Sequence, residues 1–145
     1  MAERSSTVVW SGGISNGSGD FTVGSGAFGP QYVSFARRTG EPEGVTSPEE
    51  LIAAAHASCF AMAFSLVLEQ NGTPPQELDV TAKVAFGMND KGAPEVQYSK
   101  LSVKGKVDGV NEKKFEELAK QAEALCPVSN ALRNNLPIEL EASLA

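Results

Sequence analysis

Two cysteines are the residues of this 145-residue sequence best suited to chemistry, and they lie far apart along the chain. Cys59 falls within a long apolar stretch, and Cys126 directly precedes a proline. A thiol attacks other molecules as the thiolate, and at its ordinary pKa near 8.5 only about 3% of it is ionised at pH 7. A reactive Cys59 therefore needs a nearby cation. Arg37 or Arg38, which precede the helix of Cys59 in the sequence, could supply it.

His56 precedes Cys59 by three residues, a spacing that puts both side chains on adjoining parts of one helix face. A hydrogen bond from His56 is one way to assist the thiol. The alternative is structural for both residues: a free cysteine packs as a small apolar group, and a histidine is stable in a core when its ring nitrogens are hydrogen-bonded. The spacing alone leaves both interpretations open.

Composition excludes several function classes. His56 is the only histidine and no CxxC pair occurs, so the sequence offers no four-ligand structural metal site. A formal net charge of −6 gives no general attraction for nucleic acid or for an anionic membrane. We therefore expect neither polyanion as a partner.

A long helix must position Cys59, and the sequence marks both of its ends. The run Ser47-Pro48-Glu49-Glu50 combines an N-cap serine, a proline in the first helical position and an early glutamate. Asn71-Gly72, followed by two prolines, predicts the end near Gln70.

This helix is uncharged from Leu51 to Leu68, which is long enough to cross a membrane. Its alanines, its interruption by His56 and two serines, and its flanking glutamates argue against a span, since membrane helices carry basic anchors. We predict instead a helix of a soluble protein that is apolar on all sides and must be covered all round by other structure.

The remaining elements follow from periodicity. A second, amphipathic helix is predicted from near Asn111, and its buried stripe continues to Cys126. The segment VSNALRNN after Pro127 is predicted to be a turn. Alternating patterns predict strands at residues 7–10, 21–23, 32–37, 80–86, 96–107 and 138–143. The order of elements predicts an α+β fold, and the length predicts a single domain over residues 1–145.

Two segments together resemble a known family. TSPEELIAAAHASCFAMAFS and, far downstream, CPVSNAL join a capping motif, a helix cysteine and a second cysteine before proline, and they span Thr46 to Leu132. This combination resembles the osmotically inducible protein C family and the related organic hydroperoxide resistance proteins. AAAHASCF and CPVS look more like the osmotically inducible branch.

The resemblance implies a thiol peroxidase that reduces organic hydroperoxides and, more weakly, hydrogen peroxide, without metal, haem or other cofactor. Cys59 matches the peroxidatic cysteine, whose sulfenic acid is resolved by Cys126. Glu49 matches the acidic partner and Arg38 the catalytic arginine, with Arg37 remaining open. The resemblance also implies a dithiol reductant of lipoyl type, and a fold of antiparallel sheets around a long buried central helix in an intertwined homodimer.

Helix geometry leads separately to a dimer. Glu49 and Cys59 are ten residues apart, which places them about 15 Å apart along a helix axis and about 80° apart around it. One chain does not easily bring both to one site. We therefore expect a two-fold homodimer with shared active sites, in which Glu49 and Arg38 come from the second subunit.

Other expectations concern location and competing functions. The N-terminal MAERSSTVVW lacks a secretory signal pattern, and two thiols suit a reducing compartment, so we expect the protein in the cytoplasm. The residues after Cys59, Phe60 to Phe64, suit an alkyl hydroperoxide or form ordinary core. The competing functions are a binding protein for an apolar ligand, with inert thiols, and a structural stress protein.

Overall fold

A computed structural model describes residues 1–145 as two units, Met1–Leu51 and Ile52–Ala145. The first unit contains a three-stranded antiparallel sheet in the order β1, β2, β3. Its elements are β1 (Ser6–Ser11), β2 (Ser18–Val23), β3 (Gln31–Val33) and the short helix α1 (Phe35–Thr39). The expectation of one domain over the whole chain stays a prediction.

The predicted strand over residues 32–37 is wrong beyond Val33. Ser34 takes an extended conformation and caps α1, because its hydroxyl accepts a hydrogen bond from the backbone N–H of Arg37. The alternation of apolar and polar residues in this segment mimics a strand, but the serine cap starts a helix. As a result, both arginines lie on a helix.

Helix α2 (Pro48–Gln70) has the predicted bounds. The Ser47 hydroxyl accepts a hydrogen bond from the backbone N–H of Glu50 at 3.2 Å, which is the expected N-cap. At the other end Gly72 has a left-handed φ of 80°, and the N–H of Thr73 donates to the carbonyl of Leu68. These two features form a C-cap with glycine in the left-handed conformation, which ends the helix.

The second unit contains the rest of α2 and a second three-stranded sheet in the order β4, β5, β6. Its further elements are β4 (Glu77–Met88), β5 (Pro94–Lys106), α3 (Glu112–Leu125), α4 (Pro127–Leu132) and β6 (Ile138–Leu144). β4 and β5 form the predicted antiparallel hairpin, whereas β6 pairs with β5 in parallel, so this sheet is mixed rather than purely antiparallel. The predicted α+β class is confirmed.

The core of the second unit lies where α2 and α3 meet the sheet. Phe64 and Phe115 pack at a tilt of 54° with ring centroids 4.9 Å apart, and both are fully buried. Gly105 of β5 permits this packing, since a Cβ there would lie 2.5 Å from the Phe115 ring. The buried cluster is Phe60, Phe64, Val67, Leu68, Leu101, Val103, Val107, Phe115, Leu118, Ala119, Ala122 and Cys126.

The opposite face of α2 is exposed in the single chain. Leu51, Met62 and Leu66 are 38%, 71% and 49% exposed and follow one another at helical spacing. The expectation that α2 is covered on all sides is therefore not met by one chain. By length and composition α2 is long and apolar enough to cross a membrane, but its other face packs in the protein core.

Candidate active site

The two thiols come together in the second unit. Cys59 is a partly buried residue of α2, and Cys126 is fully buried between α3 and α4, where it ends one helix and caps the next. The sulfur of Cys126 accepts a hydrogen bond from the backbone N–H of Ser129 at 3.5 Å. The segment predicted as a turn contains the helix α4, because this cap and Pro127 in the first turn stabilise a helical start.

Burial raises the pKa of the Cys59 thiol, since a charged sulfur loses hydration there. A hydrogen bond from the backbone of Val128 acts in the opposite direction and lowers this pKa. The side chain of Cys126 raises the pKa further, both by hydrogen bonding and by charge repulsion. The two thiols are therefore close enough for each to affect the ionisation of the other, and both are free.

His56 lies in the same unit, with no exposed surface. Its Nδ1 is 2.7 Å from the hydroxyl of Ser99 on β5, and its Nε2 is 2.8 Å from the hydroxyl of Ser129 on α4. Burial lowers the pKa of His56, and the charge of Glu123 opposes this only in part. Both ring nitrogens are thus satisfied in a neutral ring, which agrees with the structural alternative drawn from the sequence.

Arg38 and Glu49 form an ion pair in the first unit. Arg38 Nη2 lies 2.6 Å from Glu49 Oε1, and Nε donates to both carboxylate oxygens at 3.2 Å. The Glu49 side chain is 7% exposed and that of Arg38 30% exposed. This forked contact fixes the orientation of the guanidinium plane.

Arg37, the alternative arginine, points elsewhere. It pairs with Glu43, and both side chains are substantially exposed. One residue along α1 turns a side chain by about 100°, which separates the environments of the two arginines. The geometry therefore favours Arg38 over Arg37 as the arginine held by a buried carboxylate.

A cavity of about 130 Å³ adjoins Arg38, and its lining is predominantly apolar apart from Arg38 and Ser34. Its lining is Trp10, Ile14, Val33, Ser34, Phe35, Arg38 and Pro48. Sequence reasoning missed this cavity, because its residues come from separate strands, a loop and two helix starts. A guanidinium beside an apolar wall suits a ligand with one polar and one apolar end.

The apolar residues after Cys59 divide between core and surface. Phe60 and Phe64 are fully buried core side chains, and Met62 is exposed. For the two phenylalanines the ordinary-core interpretation is the one the structure supports. In residues 1–145, no group of three or more His, Cys, Asp or Glu side chains is arranged to hold a metal ion.

Comparison with known proteins adds a family. A family model described as OsmC-like protein matches residues 40–141. The chain is similar to Peroxiredoxin OsmC of Escherichia coli (strain K12), with 37% identity over 134 residues that cover 91% of each protein. It is also 35% identical over 99 residues to the organic hydroperoxide resistance protein OhrA of Bacillus subtilis (strain 168), covering 68% of each.

Solved structures share the fold. An organic hydroperoxide resistance protein from Elizabethkingia anophelis superimposes with a TM-score of 0.79 at 26% identity, covering 100% of this chain and 98% of that one. OhrB of Bacillus subtilis superimposes with a TM-score of 0.75 at 24% identity, covering 96% of this chain and 98% of that one, and this likeness concerns the fold alone.

Proposed function

The chain belongs to the OsmC-like protein family, and we propose on this basis that it is a cysteine-based peroxidase that reduces organic hydroperoxides to alcohols. The names of the similar proteins, peroxiredoxin and organic hydroperoxide resistance protein, support this activity. The observation that carries the proposal for this chain is the proximity of two free thiols, one partly accessible and packed against the core cluster and one fully buried within that cluster.

Cys59 is the peroxidatic residue in this proposal. Its thiolate attacks a peroxide oxygen, so that an S–O bond forms, the O–O bond breaks and the alkoxide leaves as the alcohol after taking up a proton. The sulfur loses two electrons and becomes a sulfenic acid, and the peroxide gains them. Partial exposure of Cys59 gives the peroxide access to the sulfur.

Cys126 is the resolving residue. Its sulfur attacks the sulfenic sulfur of Cys59, an S–S bond forms, and the hydroxyl leaves as water with the thiol proton. Resolution needs no further oxidant and protects Cys59 from a second peroxide. An external dithiol, of lipoyl type in our proposal, then reduces the disulfide and is itself oxidised to a disulfide.

Arg38 supplies the charge that Cys59 needs. Because burial raises the pKa of Cys59, the thiol is a poor nucleophile at pH 7 until a cation stabilises the thiolate. Glu49 holds the guanidinium of Arg38 in a fixed plane, ready to face a sulfur and a peroxide oxygen. The apolar cavity beside Arg38 suits an alkyl group, which favours organic hydroperoxides over hydrogen peroxide.

A second copy of the chain brings the two clusters together in this account. Glu49 and Cys59 belong to one continuous helix and are separated by about 15 Å along its axis. The exposed stripe of Leu51, Met62 and Leu66 supports pairing of two α2 helices, which would bury apolar surface now open to water. We propose a two-fold dimer in which Arg38 and Glu49 of each chain complete the site at Cys59 of the other.

A second interpretation of the exposed stripe on α2 is a surface that faces lipid. Phe60, Phe64 and Leu68 occupy the other side of the helix and pack into the core, so lipid cannot surround α2. Glu49, in the first turn of α2, pairs with Arg38 and does not provide the basic anchor of a membrane helix. We place the protein in the cytoplasm, where a reducing pool keeps both thiols free between turnovers.

The test is the product of a single oxidation. We expect one equivalent of cumene hydroperoxide to convert the reduced protein to an intrachain Cys59–Cys126 disulfide, identified by peptide mass spectrometry and by the absence of a disulfide-linked dimer on a non-reducing gel. Cys59→Ser should not consume peroxide. Cys126→Ser should stop at Cys59 sulfenic acid with one equivalent and form Cys59 sulfinic acid when a second equivalent is added. Cys59 sulfinic acid beside a free Cys126 in the native protein would contradict resolution. A protein inert to the peroxide would instead be a ligand binder or a structural stress protein.

A further inference from the structure

A buried bridge of three side chains joins the elements around the thiols. His56 of α2 contacts Ser99 of β5 through Nδ1 at 2.7 Å and Ser129 of α4 through Nε2 at 2.8 Å. All three side chains have no exposed surface. A neutral imidazole has one N–H donor and one acceptor nitrogen, and a hydroxyl can complement either, so the bridge is fully satisfied.

The bridge ends at Ser129, in the first turn of α4, and the backbone of this turn lies next to both sulfurs. The backbone N–H of Ser129 donates to the sulfur of Cys126 at 3.5 Å. The backbone of the preceding residue, Val128, lies close enough to Cys59 to lower the pKa of its thiol. Because the two residues are neighbours in one short helix, the position of Ser129 sets the position of both backbone groups.

We propose that His56, acting through Ser129, is a positioning residue that fixes the first turn of α4 and so holds Cys126 in place to resolve oxidised Cys59. The inference rests on the proposed peroxidase function. A direct chemical role for the pair Ser129 and His56 does not fit, because no substrate reaches two side chains that are completely buried.

The fate of oxidised Cys59 reports on this positioning. Attack of Cys126 on the sulfenic acid forms the disulfide and releases water. A second hydroperoxide competes, transferring one oxygen to the sulfenic acid to give sulfinic acid while it is reduced to the alcohol. Loosening α4 slows the first reaction and leaves the second unchanged, so the ratio of disulfide to sulfinic acid falls.

Two substitutions of His56 separate the arms of the bridge. Asn carries a polar atom near the position of Nδ1, so His56→Asn keeps a partner for Ser99 and loses the one for Ser129. Gln reaches the position of Nε2, so His56→Gln keeps the partner for Ser129. Ser129→Ala removes the hydroxyl itself, and Ser102→Ala, on the exposed face of β5, serves as the neutral control.

We expect His56→Asn and Ser129→Ala to lower the ratio of disulfide to sulfinic acid about three- to tenfold, the effect of one lost hydrogen bond, at a fixed excess of cumene hydroperoxide. In His56→Gln the ratio of disulfide to sulfinic acid should be closer to the native value than in His56→Asn. The pH profile of Cys59 alkylation by iodoacetamide should move to higher pH in Ser129→Ala, because the Val128 amide is less firmly held.

Three results would overturn the positioning role: a native ratio and alkylation profile in Ser129→Ala, equal effects of His56→Asn and His56→Gln, or loss of folding in Ser129→Ala, which would make the hydroxyl a requirement of the fold. The alkylation profile does not require peroxidase activity. A native protein that forms no disulfide therefore removes the proposed function, while an unmoved profile in Ser129→Ala removes the role of His56.

Discussion

At the scale of single residues, burial and a backbone hydrogen bond act in opposite directions on the pKa of Cys59. Loss of hydration raises the pKa of its thiol, and the amide of Val128 recovers part of the thiolate. A backbone dipole is weaker than a full charge, so a guanidinium is needed to make the thiolate dominant near pH 7. Arg38 differs from its neighbour Arg37 in being held by a buried carboxylate.

This difference predicts unequal effects of two matched substitutions. Arg38→Ala should raise the pKa of Cys59 by about one unit or more and slow the peroxide step about tenfold or more, since the thiolate loses its cation. Arg37→Ala removes the same charge from an exposed pair and should change neither. Alkylation pH profiles and stopped-flow oxidation measure the two quantities, and a larger effect of Arg37→Ala would transfer the role to that residue.

At the scale of elements, the sequence predicts structure well where the signals are local. Ser47 and Gly72 mark the ends of α2, and the apolar stripe of α3 is visible in its spacing. The sequence did not predict α1 and α4, because these helices have only five and six residues and each depends on a single capping contact, at Ser34 and at Cys126 respectively.

The site follows the same division. The thiols, Glu49 and the two arginines stand out by residue type. The different environments of the two arginines become visible only in the structure, because both lie on α1 and their side chains leave this helix in different directions. The partners of His56 lie 43 and 73 residues away along the chain, and serines carry no signal that predicts such pairing. The parallel pairing of β6 likewise depends on how α3 and α4 return the chain to the sheet.

Burial of His56 between α2, β5 and α4 predicts how stability depends on pH. Its pKa is lowered in the folded state, so the unfolded chain binds a proton more readily as the pH falls through about 6.5. The free energy of unfolding should therefore decrease from pH 7 to pH 5.5, by at most about 1.4 kcal/mol per pH unit. Denaturant titrations at one protein concentration measure it.

His56 is the only histidine, so the decrease should be largely absent in His56→Gln. An equal pH dependence in this variant would assign the effect to carboxylates and contradict a neutral, buried His56 in the folded state.

At the scale of the whole molecule, each chain carries two separate groups of candidate site residues, the two thiols and the Arg38–Glu49 pair. In the proposed mechanism Cys59 is the nucleophile and Cys126 the resolving thiol, both free in this chain, and the ion-paired Arg38 and Glu49 supply the fixed positive charge. The apolar stripe on α2 is exposed in one chain, which supports burial against a second copy. The two-fold dimer that we propose, with exchanged partners, would give two equivalent sites and would cover this surface.

The central claim, that one peroxidase site combines Cys59 of one chain with Glu49 and Arg38 of another, is tested most directly by mixed dimers. Two chains that are inactive or strongly slowed as homodimers, Cys59→Ser and Glu49→Ala, are given different affinity tags, co-expressed and isolated as the doubly tagged dimer. Such a dimer holds one complete site, so we expect about half of the native hydroperoxide reduction rate. The reciprocal dimer, native chain with the double variant, has no complete site and should be inactive. An inactive first dimer together with a half-active second one would contradict the shared site and place all four residues in a single chain.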